Sequence, residues 1–302
     1  PLRGRYRDTD VLTAPPPSSG GVALLTALNI LEGYRLDLWD AVTRKHLIVE
    51  AMRRAYRDRA QYLGDPDFVD IPIAQLTDKN YAAGLRAGIR TDRATPSASL
   101  PGAPASPQGS DTTHFSIVDA AGNVVSATLS VNIPFGSAFV PPGTGILLND
   151  EMDDFSAKPG TPNVYGLIGS FANAIAPGKR PLSSMTPTIL RRGGTVSVLG
   201  TPGGSRIISM VLLGALEFAA GNDDPAVWVA APRYHHQFWP DVVEYEPQGL
   251  TDAERAGLER RGHTLKAVDR RYGNMQAIAW QPAGGTMQAA SDPRREGSAQ
   301  VR

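Results

Sequence analysis

Apolar positions recur at helical spacing through residues 1–90 and at strand spacing through much of the remainder, with a proline-rich interruption between the two regimes. Ser18-Ser19-Gly20-Gly21 precedes an apolar run from Val22 to Leu31, the serines standing where they would cap a helix. Asp40 opens a longer segment in which Leu47, Ile48, Ala51, Met52, Ala55 and Tyr56 fall on one helical face. The other face, with Arg44, Lys45, Arg53, Arg54 and Arg57, reads as solvated. Gly64-Asp65-Pro66 ends that helix, and Thr77 is placed to cap a shorter one through Leu85. Residues 1–90 are thus expected to form a helical unit.

From Thr91 to Asp111 the pattern vanishes. Prolines 95, 101, 104 and 107 and serines 97, 99, 106 and 110 surround Leu100, the one large apolar residue, so residues 91–111 read as a flexible linker. Thr112–Asp119 and Val124–Val131 then alternate as paired strands around Ala120-Ala121-Gly122-Asn123. Gly145–Asn149 reads as a short strand, and Thr186–Leu190 with Thr195–Leu199 as a hairpin around Gly193-Gly194. Thr201-Pro202-Gly203-Gly204 breaks into an apolar helix from Ser205 to about Ala220. Thr251 and Glu254 make a capping box for a helix ending at Gly262, and Met275–Trp280 and Thr286–Ala290 close the chain as strands. Strands and helices segregated in this way predict an α+β layered sandwich.

Composition narrows the chemistry. Lys and Arg (30) balance Asp and Glu (30), which argues against a nucleic-acid glove or a polybasic membrane anchor. The longest apolar run, Ile207–Leu216, is too short to span a bilayer and is broken by Ser209 and Gly214. Cysteine is absent, which removes disulfides, thiolate nucleophiles and cysteine-held metals. A covalent mechanism must therefore use Ser, Thr, Lys or a carboxylate. No G-x-S-x-G elbow, H-E-x-x-H or Walker motif occurs. The His235-His236 side chains diverge whatever the local structure, so structural hydrogen bonding is their expected role.

Thr112 stands where a linker meets a strand. Cleavage between Asp111 and Thr112 would expose it as an N-terminus whose α-amine, with a pKa near about 7.7–8.0, accepts the hydroxyl proton at neutral pH. Nucleophile and base then sit in one residue. Alone, a threonine opening a strand is ordinary β structure. Pro202-Gly203-Gly204-Ser205-Arg206 leads into a helix whose first amides suit an oxyanion hole, or it is a plain tight turn. Asn149-Asp150-Glu151-Met152-Asp153-Asp154 clusters carboxylates that could hold an ammonium group or merely form an acidic turn. Ser183-Ser184 offers paired hydroxyls to a carboxylate or to a turn.

Together these stretches resemble the γ-glutamyltranspeptidase (glutathione hydrolase) family of self-cleaving N-terminal-nucleophile hydrolases. The matching motifs run in family order: Pro15-Pro16-Pro17-Ser18-Ser19-Gly20-Gly21, Thr112-Thr113-His114-Phe115-Ser116, Asn149–Ser156, Pro162-Asn163-Val164-Tyr165-Gly166, Arg180–Met185, Pro202–Arg206 and Ala231–Gln237. The resemblance implies a four-layer αββα sandwich, entered midway through the large subunit and so incomplete at its N-terminus, with residues 112–302 as the small catalytic subunit. It makes Thr112 the nucleophile rather than Thr113, and Ser130 the hydroxyl partner of the new α-amine. Asn132, Glu151 and Asp154 would bind the substrate α-amino group, Ser183 and Ser184 the α-carboxylate, and the Gly203 and Gly204 amides the oxyanion. Pro159–Ser170 would be a lid loop. The family's arginine for the α-carboxylate would precede Pro1.

The implied activity is hydrolysis or transfer of the γ-glutamyl group of glutathione and related compounds, without cofactor or metal, to water or to acceptor amino acids and peptides. Large and small subunits would come from one precursor in a periplasmic or extracellular setting, with no nucleic-acid partner. The competing expectations are an acylase for a β-lactam side chain or poly-γ-glutamate, and a non-catalytic fragment that lacks the N-terminal substrate-binding part.

Overall fold

The computed structural model describes residues 1–101, 111–156 and 170–302, with Asp111 described by its backbone alone. The chain opens with strands β1 (Leu2–Tyr6) and β2 (Thr9–Thr13), then helices α1 (Gly20–Glu32), α2 (Ala41–Tyr62), α3 (Ile73–Leu76) and α4 (Lys79–Ala87). A hairpin follows, β3 (Asp111–Val118) and β4 (Val124–Asn132), and then a second hairpin, β5 (Thr188–Arg192) and β6 (Thr195–Gly200). Helices α5 (Arg206–Ala219) and α6 (Pro225–Ala230) precede strands β7 (Tyr234–His235) and β8 (Val243–Tyr245). Helix α7 (Asp252–Arg260), β9 (Leu265–Ala267), β10 (Gln276–Gln281) and β11 (Thr286–Ser291) complete the order.

Six strands form one antiparallel sheet in the order β1-β2-β5-β6-β10-β11, and β3-β4 form a second sheet lying against β6 and β10. The main sheet carries α1 and α5 on its other face, with α2 and α4 packed over α1. β7, β8 and β9 make a small three-stranded sheet. Among the described residues the layers are therefore helix, sheet and sheet, the α+β arrangement expected, with no helical layer over the outer face of β3-β4.

Alternation explains why β3-β4 sits as it does. His114 and Ser116 face the main sheet with Ser126 and Thr128, whereas Phe115, Ile117, Val125 and Leu129 lie on the outer face and are exposed. Ser126 Oγ donates to Leu199 O (3.2 Å) and accepts from Thr188 N (3.1 Å), so polar contacts lock the two sheets in register. At Gly200 the sheets approach so closely that a Cβ would stand 2.2 Å from the His114 ring.

Several expectations need correction. Residues 1–90 are not wholly helical, because Leu2–Thr13 is a hairpin whose strand β2 pairs with β5. Its two-residue alternation is obscured by arginines. Ser19 occupies the α1 N-cap without a side-chain cap bond and donates instead to Ser183 O (2.6 Å). Asp78, not Thr77, caps α4. Gly145–Asn149 is not a strand but part of a loop closed on itself by Leu148 N to Phe139 O, its leucines and Ile146 exposed.

The linker is corrected too. Residues 102–110 lie outside the described residues, but 91–100 are packed onto the core and Ser97 is fully buried. The reason is the face of α2 read as solvated: Arg53, Arg54 and Arg57 are buried. Glu50 accepts from Arg54 Nη1 (2.7 Å) and from Thr95 N (3.0 Å), and Arg53 donates to Ser97 Oγ (2.5 Å) and pairs with Asp241. Asp241 also accepts from Ser97 N (2.7 Å). Burial would raise the Glu50 carboxyl, but the two guanidiniums hold it down to about 2.

His46 completes the clamp. Its Nε2 must donate to Arg90 O (2.7 Å), so its Nδ1 accepts from His263 Nε2 (2.7 Å) and both rings are neutral. The segment that leads to Thr112 is thus tied to α2 through its backbone at Arg90 and Thr95 and through the Ser97 hydroxyl.

All five histidines are buried. Desolvation pushes His114, His235 and His263 down to about 3 and His236 to about 4, and lowers His46. Groups held below their ordinary 6.5 contribute stability above that pH and lose it as acid reaches their folded values. Unfolding at pH 5 should therefore take up at least about four more protons than at pH 8, read as a steep fall in denaturant midpoint below pH 6.5. A flat profile from pH 8 to 5 would contradict buried neutral rings. Replacing Glu50 with Gln, which strands two buried guanidiniums, should cost about 3–5 kcal/mol in denaturant unfolding.

Candidate active site

The N-terminal segment of α1 builds one wall. Ser18-Ser19 runs parallel to Ser183, with Ser19 N bonded to Ser183 O (2.8 Å), Ser183 N to Pro17 O (3.1 Å) and Ser18 Oγ to Met185 O (2.6 Å). These bonds fix Ser183 and Ser184 at the mouth of the core. Arg59 of α2 donates from Nη2 to Ser184 Oγ (3.1 Å) and from Nε to Ser19 Oγ (2.9 Å).

The β3-β4 hairpin builds the second wall. Thr112 Oγ1 lies 3.0 Å from Ser130 Oγ, which also accepts from Asn132 N (2.9 Å). The register shifts between Asp111 and Thr112: Asp111 is opposite Asn132 and Thr112 opposite Ser130, so Val131 bulges beside that peptide bond. Asn132 takes a positive φ of 75°, and its amide reaches Asp150 O (3.3 Å). Thr113 lies on the exposed outer face, which separates it from the site.

Glu151–Asp154 forms a single helical turn that makes the third wall. Asn173 holds it in place, donating to Asp154 O (2.7 Å) and accepting from Leu182 N (3.1 Å). Asp154 Oδ1 is sealed from solvent and has no hydrogen-bond partner among the described residues. Burial and then the neighbouring Glu151 charge push the Asp154 carboxyl up to about 8, against the pull of Arg59.

The loop before α5 makes the fourth. Gly203 (φ 145°) and Gly204 (φ 58°) take conformations that L side chains rarely adopt. Tyr56 OH bonds Ser205 O, and Ser205 Oγ donates to Gln237 Oε1 (2.7 Å), so the turn is held from beneath.

One small pocket is lined by Thr112, Ser130, Asn132, Glu151, Asp154, Ser183, Ser184 and Gly204. The sequence-predicted residues thus converge from five separate stretches, all but Gly203, which lines a neighbouring cavity with Arg206 and Tyr272. Outside the pocket a broader cleft continues past Ser183, Glu151 and Met185 to Pro17, Met152, Phe155 and Lys179. The expected lid, Pro159–Ser170, lies outside the described residues except for Ser170.

His114, two residues from Thr112, bonds Thr128 (2.8 Å) and Ser116 (3.2 Å) and is held neutral, so it is not placed to serve the Thr112 hydroxyl. His235 pairs with Ser209 and Gln237, and His236 with Asp241, the structural roles expected of them. Sequence reasoning missed Arg59 and Asn173, and named Asp150 only as a member of the acidic run, where it in fact accepts from Asn132 and Ile133 N. Arg59 falls four residues from Ala55 on the helical repeat, a signal for an inward position. Nothing in the pattern marks Asn173.

Among the described residues no helix is long and apolar enough to cross a membrane. The family pattern of γ-glutamyltranspeptidase matches residues 1–301. A glutathione hydrolase proenzyme of Pseudomonas sp. (strain A14) is 50% identical over 266 residues, 87% of this chain and 46% of that protein. The γ-glutamyltranspeptidase of Pseudomonas nitroreducens, 47% identical, superposes with a TM-score of 0.57 over 63% of this chain and 99% of that one. A cephalosporin acylase from Bacillus halodurans, 28% identical, superposes with a TM-score of 0.82 over 99% of this chain and 52% of that one. The chain spans about half the length of the curated relatives it matches. With motif order, fold and pocket in agreement, the chain belongs to the γ-glutamyltranspeptidase family.

Proposed function

We propose that the protein hydrolyses or transfers γ-glutamyl groups through Thr112, after cleavage of its own Asp111–Thr112 bond. The observation that carries this reading is the Thr112 Oγ1–Ser130 Oγ contact of 3.0 Å inside a pocket with carboxylates on one side and serine hydroxyls on another. Residues 112–302 are 191 of 302, or 63% of the chain, equal in extent to the 63% that superposes on nearly the whole of the P. nitroreducens chain. Relatives named as proenzymes accord with two subunits from one precursor, residues 1–111 belonging to the large and 112–302 to the small. A periplasmic or extracellular setting goes with the same reading.

In the cleaved protein the Thr112 α-amine takes the proton of the Thr112 hydroxyl as the oxygen attacks the γ-amide carbonyl. Charge that develops on the carbonyl oxygen is met by the amides of Gly203 and Gly204. The C–N bond breaks, the proton passes to the departing amine, and the γ-glutamyl group remains as an ester on Thr112. Water or an acceptor amine then gives up a proton to the same α-amine, attacks the ester and frees the hydroxyl. Ser130 orients the amine. Asn132, Glu151 and Asp154 hold the substrate ammonium, and Ser183 and Ser184 its α-carboxylate.

The cephalosporin acylase likeness supports a second reading, an acylase of the same mechanism acting on another amide. The paired ends of the pocket favour a zwitterionic group over an uncharged acyl chain.

In the full-length protein, Thr112→Ala should leave one band in denaturing electrophoresis where the parent gives two, and reduce release from γ-glutamyl p-nitroanilide by about 10³-fold or more. Normal processing in that variant would remove Thr112 from the mechanism. The Asp154 carboxyl, raised to about 8, must ionise to hold an ammonium. The inhibition constant of glutamate should therefore weaken about tenfold per pH unit below 8. Asp154→Asn should flatten that dependence and weaken binding about 100-fold at high pH.

A further inference from the structure

Five arginines sit in the deep interior of the described residues near α2 or the small sheet, and four have carboxylate partners: Arg53 with Glu50 and Asp241, Arg54 with Glu50, Arg57 with Asp58, and Arg233 with Asp292. Arg59 is the exception. It is 5% exposed, and among the described residues no carboxylate lies within 4.0 Å of it. Its guanidinium donates to two hydroxyls, Ser19 Oγ at 2.9 Å and Ser184 Oγ at 3.1 Å. A sealed cation without a counter-ion is costly, and the remedy of ion pairing is used at every neighbouring arginine.

We infer that Arg59 is the positioning cation of the pocket's carboxylate end, acting through Ser184 and Ser183 to select a substrate that carries an α-carboxylate. The inference rests on the zwitterion reading of the pocket. Arg59 does not touch substrate. A hydroxyl that accepts from a guanidinium is polarised as a donor in its turn, so Ser184 hands the positive potential on. Through Ser19, whose hydroxyl donates to Ser183 O (2.6 Å), the same guanidinium fixes the neighbouring serine. Asp154 supplies the opposite pole: its charge is felt at Arg59, yet the two do not pair. A zwitterion fits between these two ends, its carboxylate toward Ser184 and its ammonium toward Asp154 in the ionised form that binding requires.

The test compares binding of glutamate with isoglutamine, its α-carboxamide counterpart, by calorimetry on the full-length protein, alongside kcat and KM for γ-glutamyl p-nitroanilide. The parent should prefer glutamate, Arg59→Gln should lose about tenfold or more of that preference, and Arg59→Lys should restore part of it. The catalytic loss should fall in KM, with kcat within a few-fold. Because Arg59→Gln can compromise folding, the same ratio is measured for Arg59→Lys and for Ser184→Ala with and without it. If Arg59 acts through Ser184, the lysine variant changes nothing further once Ser184 is alanine. An equal loss for both ligands, an unchanged ratio, or additive effects in the double variant would each reduce Arg59 to a packing role and overturn the inference. Absence of γ-glutamyl release by the parent would instead fault the proposed activity, while the binding ratio would still decide the role of Arg59.

Discussion

The site depends first on the two-residue repeat of β3 against β4. Facing residues of a strand alternate strictly, so Thr112 shares its face with His114 and Ser116 while Thr113, Phe115 and Ile117 take the other. Were the hairpin to slip by one residue, the Thr112 hydroxyl would turn away from Ser130 and apolar side chains would be driven among the polar groups that bind the main sheet. Ser126 on Leu199 and Thr188, and His114 over Gly200, prevent that slip. A hydroxyl pair 18 residues apart in sequence owes its 3.0 Å separation to this register.

Helix α2 works on two fronts. Its Glu50, Arg53 and Arg54 hold the segment that approaches Thr112 from upstream, while Arg59, at its far end, supports the serines on the opposite side of the pocket. The helix therefore joins the segment that precedes Thr112 with the wall that carries Ser183 and Ser184, through charges buried at both ends. Because these groups are desolvated together, each is costly to remove singly, and the helix is rigid where the site needs a fixed frame.

Much of this was legible in the residues. Alternation located the β3-β4 and β5-β6 hairpins, Thr251 and Glu254 located α7, and Thr112, Glu151, Asp154, Ser183, Ser184 and Gly204 stood in short motifs, whereas Ser130 and Asn132 came only with the family resemblance. What failed shares one physical origin. Arginine at helical spacing looks alike whether it faces water or a carboxylate folded back from far along the chain, so the Arg53–Arg57 face and the apparent linker were misread together. Gly145–Asn149 has strand composition but no partner strand, and pairing is not written in a single segment. Asn173 acts through contacts that no local pattern encodes, and the helical repeat that turns Arg59 inward does not name its distant partner Ser184.

Strand β2, from before residue 111, pairs with β5, from after it, in the middle of the larger sheet. A nick at Thr112 would thus divide the covalent chain without dividing the body. Each piece would retain half of a shared ladder and could not leave without unzipping it and exposing the core between α1 and α5. Such halves would remain one particle in dilute buffer and become separable objects only when the whole is melted, so that a cut there would alter the number of polypeptides while leaving the architecture undisturbed.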